Sequence, residues 1–364
     1  MMNRHCAVTA VKARRARAAA ASRLRLVLLT VVGFTAAALV GVKAARADRS
    51  FDLALGTPAV DAYGMTVVDR AQTPQRFEFG LQSQVGWALT PLRLTLADSN
   101  MVGLPDAQFR VVEQQFNVDL GFFLGLADFL SIAASLPVGF NFYDENSLGN
   151  PNQAVPPSKP TGMGTIITTG LYANLPRQNV SISSAGPRDP RLSLKARFYG
   201  GKWFEIGLLV EGTLPIGNAD SFLGEKSATL RPRLLVGILL KRVVLALSVG
   251  AIVRESSEIY DPYRVPDVQR FQINHELTWA GGLSVKAHRV IGFGIESKGT
   301  VPLTGEAVYP TALVLGSVFL QPTSKFKLTI SGGGGVLKDS PRNADGRVML
   351  GLAYSLSPRA GGLL

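Results

Sequence analysis

Between Arg76 and Leu356 the chain repeats one pattern about a dozen times: a stretch of alternating apolar and polar residues, then a connector that is by turns long and short. The stretch Arg76-Phe77-Glu78-Phe79-Gly80-Leu81-Gln82-Ser83-Gln84-Val85-Gly86-Trp87 shows it best. A period of two sends Phe77, Phe79, Leu81, Val85 and Trp87 to one face of a strand and polar residues or glycine to the other. Repeated around a sheet closed on itself, with apolar side chains outside and polar ones inside, this is the pattern of a membrane-crossing barrel. The expected fold is all-β: a transmembrane antiparallel up-and-down β-barrel of about 12 strands over 76–356.

Strands are expected at 76–89, 109–123, 128–142, 190–199, 203–214, 228–240, 243–254, 274–287, 290–301, 310–320, 325–337 and 346–356. Connectors after the odd-numbered strands are long, and those after the even-numbered ones are brief, such as Lys241-Arg242. Barrels of the outer membrane place short turns on the periplasmic side and long loops outside. A soluble β-sandwich alternates too, but nothing in it sorts loops by length. Gly164 to Tyr172, within the longest connector, leaves open a further strand pair and a count of 14.

The first 47 residues read as a cleaved signal peptide. Arg14, Arg15, Arg17, Arg23 and Arg25 precede an uncharged run from Leu26 to Val42, and Ala45-Arg46-Ala47 supplies small residues at Ala45 and Ala47 for cleavage. Nine Lys or Arg and no acid lie in this stretch, so its removal lowers the formal charge from +12 to +3. The basic balance of the whole chain is then no footprint for nucleic acid. The single cysteine, Cys6, leaves with it, and no thiol chemistry is expected. Residues 48–75 lack clear periodicity and read as a periplasmic lead-in, and 357–364 as a periplasmic tail.

Register sharpens the expectation. Across the turn at Gly200-Gly201-Lys202, residues whose numbers sum to 402 should face each other, pairing Arg197 with Glu205 and Arg191 with Glu211 in the lumen as a possible gate. Arg231, Arg233, Glu276, Glu296 and Lys298 share the lumen parity, as do Glu78, Asp119, Lys195, Lys286 and Arg347. Trp87, Trp203, Trp279 and Tyr354 fall near strand ends with outward parity, as an aromatic girdle requires.

Catalysis finds little support. His275 carries lipid-facing parity and His288 sits in a short turn, so neither a Ser–His pair nor a metal site assembles. Gly332 to Gly335 lacks the helix and lysine of a phosphate loop. No cofactor and no metal is expected.

Several short motifs recur in order: Arg76-Phe77, Ser135-Leu136-Pro137-Val138-Gly139, Asp189-Pro190-Arg191-Leu192, Leu214-Pro215-Ile216-Gly217 and Arg231-Pro232-Arg233-Leu234-Leu235. In these the chain resembles the N-terminal barrels of myxobacterial-type OmpA-family outer-membrane proteins. The Leu-Pro-x-Gly and Asp-Pro-Arg-Leu elements are also similar to barrels grouped as transporters of the phenol-degradation MetA pathway. Relatives of the first kind commonly carry a peptidoglycan-binding domain, and nothing after Leu356 supports one here. The resemblance implies residence in the bacterial outer membrane, with its lipids, the barrel-assembly machinery and small solutes as partners. Three readings stay open: a structural barrel, a narrow passive pore, or a transporter-like barrel for hydrophobic or aromatic compounds.

Overall fold

The computed structural model describes residues 56–96, 107–142, 184–218, 222–225, 227–255, 257–259, 271–303, 310–337, 340 and 342–356. The expected signal peptide with Ala45 and Ala47, residues 48–55, Gly164 to Tyr172 and the 357–364 tail lie outside them. No helix among the described residues is long and apolar enough to cross a membrane.

The strands are β1 (Phe79–Leu96), β2 (Ala107–Ala127), β3 (Leu130–Phe142), β4 (Ser184–Pro187), β5 (Arg191–Gly200), β6 (Phe204–Thr213), β7 (Thr229–Leu239) and β8 (Val243–Ile252). They continue with β9 (Ser257–Ile259), β10 (Phe271–Ile273), β11 (Glu276–Lys286), β12 (Ile291–Pro302), β13 (Thr311–Thr323), β14 (Phe326–Gly335) and β15 (Gly346–Leu356). Neighbours in sequence pair antiparallel around the wall, and β1 pairs with both β2 and β15, which closes the barrel. Closure leaves no sheet edge to satisfy in lipid.

The wall has twelve strands because β4 and β5 are two halves of one. Both pair with β3, Val138 opposite Pro187 and Ser135 opposite Arg191. Pro187 and Pro190 bring no N–H to the ladder, and the strand breaks between them at Arg188-Asp189. β9 and β10 form a separate hairpin between β8 and β11.

Alternation fixes what faces where. Leu81, Phe293, Ile295 and Val348 are at least half exposed on the outer face, while their neighbours Glu296 and Arg347 are buried inside. The aromatic residues Trp87, Trp203, Trp279 and Tyr354 are all exposed. Trp203 and Tyr354 lie at the short-turn end, and Trp87 and Trp279 toward the long-loop end, so two rings mark each rim.

Residues 56–75 depart most from expectation. In place of a periplasmic lead-in, they fold into the lumen as a plug, then leave through the short-turn end into β1. The lack of strand periodicity there is real, because the segment is irregular. Its burial comes from Val60, Val67, Val68 and Ala71, which pack on apolar residues turned inward from the wall.

Candidate functional site: a plugged lumen

The plug is folded before the wall is considered. The Val60 N–H donates to Asp69 Oδ1 at 2.8 Å, the Ala59 N–H to the Thr66 carbonyl at 3.1 Å, and the Met65 N–H to the Val68 carbonyl at 2.8 Å. These bonds draw residues 59–69 into a closed loop. Its ends lie together, while Val67 and Val68 face one sector of the wall and Val60 another.

At mid-height Glu296 of β12 takes three backbone donors. Its Oε1 accepts from the Thr66 N–H at 2.9 Å, and its Oε2 from the Val67 and Val68 N–H groups at 2.8 and 3.1 Å. A carboxylate accepting several N–H bonds is a strong anchor, because each bond is charge-assisted. Beside it, Val67 and Val68 bury against Ala246, Ala280, Leu313, Leu315 and Met349. On the far side, Val60 and Ala71 meet Phe123, Ala133, Leu209 and Leu235.

Ion pairs tie the same loop to β5, β6 and β7. Asp61 pairs with Lys195. Arg233 donates to Asp69 Oδ2 at 2.8 Å, and Arg70 Nε lies 3.1 Å from Glu205 Oε1. Lys298 reaches Thr57 Oγ1 at 2.6 Å, and Lys327 reaches the Gly64 carbonyl at 2.5 Å. Every one of these wall groups is on an inward position of its strand, so the polar half of the alternation serves the plug.

Close approach to the wall needs glycine at two places. A Cβ at Gly125 would sit 1.9 Å from the Gln75 carbonyl oxygen, and one at Gly282 would sit 2.4 Å from Met65 Sδ. Where the plug turns into β1, Phe77 holds φ of +62°, a left-handed conformation costly for a bulky residue. The Phe77 N–H donates to the Gly125 carbonyl at 2.7 Å, and the Gly125 N–H to the Glu78 carbonyl at 2.8 Å, which pins that corner. Tyr63 O–H donates to Glu78 Oε1 at 2.6 Å. Burial and that hydrogen bond push the phenol pKa above its ordinary value, with the Glu78 and Asp61 charges adding to the rise.

A second polar layer closes the long-loop end. Glu276 accepts from Arg254 at 2.5 Å and also pairs with Arg342, while Glu225 accepts from Arg254 at 2.7 Å. Asp189 Oδ1 takes the Gly217 N–H at 2.8 Å and Oδ2 the Glu225 N–H at 2.6 Å, which bends that loop inward. Leu223 follows, fully buried beside Gly139 and Arg188.

The expected lumen pairs are rearranged. Glu205, Glu211 and Arg191 are buried inside, but Arg197 is opposite Gly207 and Arg191 opposite Thr213. A bulge between Arg197 and Tyr199 and a turn ending at Trp203 shift the register from a sum of 402 to one of 404. Arg191 pairs instead with Asp119. Glu211 lies 3.6 Å from Arg231 and 3.4 Å from Arg233, and Arg197 donates to the Asp128 carbonyl at the rim at 2.8 Å. Arg197–Glu205 and Arg191–Glu211 thus do not form a gate. Arg231, Arg233, Glu276, Glu296 and Lys298 hold inward positions, where they contact the plug and the loops.

A cavity of about 40 Å³ remains between plug and wall, bordered by Asp61, Met65, Gln84, Asp119, Ser135 and Lys327. A water needs about 10–15 Å³ of such space, so this is room for a few waters. Among the described residues no group of His, Cys, Asp and Glu could hold a metal ion.

No protein-family model matches the sequence, and no curated protein sequence does. Solved structures that align with the chain include outer-membrane channels and porins. A crystal structure of an outer membrane channel from Pseudomonas putida F1 aligns with TM-score 0.54 at 12% identity, over 79% of this chain and 98% of that one. The NanC porin aligns with TM-score 0.42 at 9% identity, over 76% and 100%. The CymD monoaromatic hydrocarbon channel gives 0.35 at 11%, over 78% and 89%. The first of these shows the fold, an outer-membrane-type β-barrel of antiparallel strands.

Proposed function

We propose that this chain is an outer-membrane channel that its own N-terminal segment holds shut, passing small solutes passively when residues 56–75 withdraw. One observation carries the reading. The lumen of a closed twelve-strand barrel is filled by a segment joined covalently to the wall at only one described point, Glu78 into β1, and seated otherwise on hydrogen bonds, ion pairs and two apolar patches. Side chains alone fill a barrel of about eight strands, and twelve enclose space beyond that, which withdrawal of the segment would leave open.

Passage of hydrophobic or aromatic compounds is the second reading. It draws on the inward apolar residues Leu313, Leu315, Leu209 and Leu235, which a pore for ions alone would not need. Residence among outer-membrane lipids follows from the exposed apolar outer face under either reading, and assembly by the barrel-assembly machinery goes with it. An OmpA-like wall-binding role has no described residues to carry it.

Planar-bilayer recording of the refolded protein tests the proposal. The full chain should be mostly closed, and deletion of residues 56–73 should give sustained conductance steps. Absence of steps from both would refute the channel reading and leave the structural barrel.

A further inference from the structure

Three consecutive plug residues make three different kinds of contact with one sector of the wall. The N–H groups of Val67 and Val68 donate to Glu296. Their side chains cover Ala246, Ala280, Leu313 and Leu315. The carboxylate of Asp69 accepts from Arg233. The apolar part is the unexpected one. Inward positions of a barrel that encloses water are polar, yet Leu313 and Leu315 both point inward from β13 and are 2% and 0% exposed. When the plug withdraws, this patch meets water unless something apolar covers it, and burying a leucine-sized side chain is worth roughly 1.5–3 kcal/mol.

Charge constrains what that something is. Withdrawal would leave one carboxylate, Glu296, and one guanidinium, Arg233, without their plug partners at either side of the patch. Arg233 keeps a longer contact to Glu211 at 3.4 Å, whereas Glu296 keeps a 3.5 Å contact from Ser317 Oγ and the more distant charge of Lys327. A simple organic anion would satisfy Arg233 and strand Glu296, and an amine would do the reverse. An ionised group left without a partner in such a place is expensive. Only a solute with a donor or cation at one end and a carboxylate at the other serves both.

Resting on the channel reading above, we propose that this sector is a solute subsite, occupied in the closed state by residues 66–69 as a tethered competitor. Its solute is a short zwitterion with an apolar middle, of the dimensions of a di- or tripeptide. The N-terminal ammonium takes the place of the Val67 and Val68 N–H groups at Glu296. An aliphatic side chain takes the place of the valines on Leu313 and Leu315. The C-terminal carboxylate takes the place of Asp69 at Arg233. Length follows from the plug itself: residues 67–69 span at most roughly 10 Å, at about 3.3–3.6 Å each if fully extended, and the bend that brings the Val67 and Val68 N–H groups to one oxygen makes the span shorter. Lys298 and Lys327, which hold Thr57 and Gly64, border the site, and withdrawal also takes the charges of Asp69 and Asp61 away from them.

The experiment uses the full chain in lipid vesicles with Ala71→Cys, a buried plug position, and a membrane-impermeant maleimide as the reporter of plug withdrawal. Val-Val should speed alkylation saturably, on the order of tenfold, because a ligand shifts an equilibrium by its differential affinity for the two states. Ser-Ser, pentanoate and pentylamine, each lacking one of the three features, should fall well short. In Arg233→Gln, scored against its own solute-free rate, Val-Val should do no better than pentylamine, and heat-modifiable migration on gels checks that this variant is folded. Equal effects of Val-Val and Ser-Ser, or of Val-Val and pentanoate, would overturn the assignment. If no solute changes the rate while the 56–73 deletion conducts, the subsite fails and the channel stands. If the deletion is silent as well, both fall.

Discussion

Glu296→Gln is the sharpest perturbation of the closed state, because one atom exchange removes a charge and converts an acceptor to a donor. Glu296 is 1% exposed, and its two oxygens take three buried backbone donors. The amide can orient in two ways. With its oxygen at the Oε2 position it keeps the Val67 and Val68 donors and turns an NH2 toward the Thr66 N–H. With its oxygen at the Oε1 position it keeps only Thr66 and orphans two. The first is the better, and it leaves one buried N–H without an acceptor, at about 1–3 kcal/mol. The two retained bonds also lose their charge assistance, roughly half of a bond worth about 1.5–3 kcal/mol each. Together the plug should be less favourably docked by about 2.5–6 kcal/mol, which at 1.4 kcal/mol per decade is roughly 60-fold to roughly 20,000-fold in its open population. Hydrogen–deuterium exchange of a peptide covering residues 64–72, read by mass spectrometry in lipid nanodiscs, reports that population. Exchange of the Thr66, Val67 and Val68 amides should accelerate by such a factor, while amides of β6 and β12 stay protected. Unchanged exchange at 66–68 would refute the role of Glu296 as the anchor. Equal acceleration throughout the barrel would show that the carboxylate holds the wall and not the plug.

Further outcomes follow from the same geometry. Tyr63 has its pKa raised in the folded state, so the stability it lends the plug is fully present below the unfolded tyrosine value near 10 and fades as pH rises above it. Plug accessibility to protease should rise in alkali, and Tyr63→Phe should flatten that part of the profile. Ile295 is 63% exposed on the outer face, so Ile295→Arg should lower barrel stability by about 2–4 kcal/mol in refolding titrations. Gly282→Leu drives a side chain into Met65 Sδ, and should raise single-channel open probability without changing heat-modifiable migration.

The wall was legible in the sequence because alternation is a local signal that a strand cannot hide. Lipid demands an apolar side chain at every second position, and the lumen tolerates polar ones, which is the setting in which Arg233, Glu276 and Glu296 are buried. Register was less legible. The pairing of Arg197 with Glu205 assumes a three-residue turn and an unbulged ladder; the turn instead closes with Gly200 opposite Glu205, and together with the bulge at Phe198 this leaves Arg191 and Arg197 two positions from the expected partners. The plug was illegible for a different reason. Thr66, Val67 and Val68 have no period, and their meaning lies in Glu296, about 230 positions away. One signal pointed to them. Ala246, Ala280, Leu313, Leu315 and Met349 are apolar at inward parity, and apolar residues facing a lumen call for something apolar inside it.

Those distant partners also set an order of events. Residues 65–71 meet side chains on β5, β6, β7, β12 and β14, so no seat for them exists until most of the wall is paired. Contacts of such long sequence separation are made late, since the chain between them must first be ordered. The stretch that precedes the first strand is therefore among the last to settle. Its docking requires β1 to have met β15, with Gln82 holding the Ala59 carbonyl from the closing strand itself. Until then its valines and the inward leucines remain apolar surfaces without partners. Seating the plug is thus a readout of closure, and a barrel that stalls one strand short should be recognisable by an N-terminal segment that a protease can still cut.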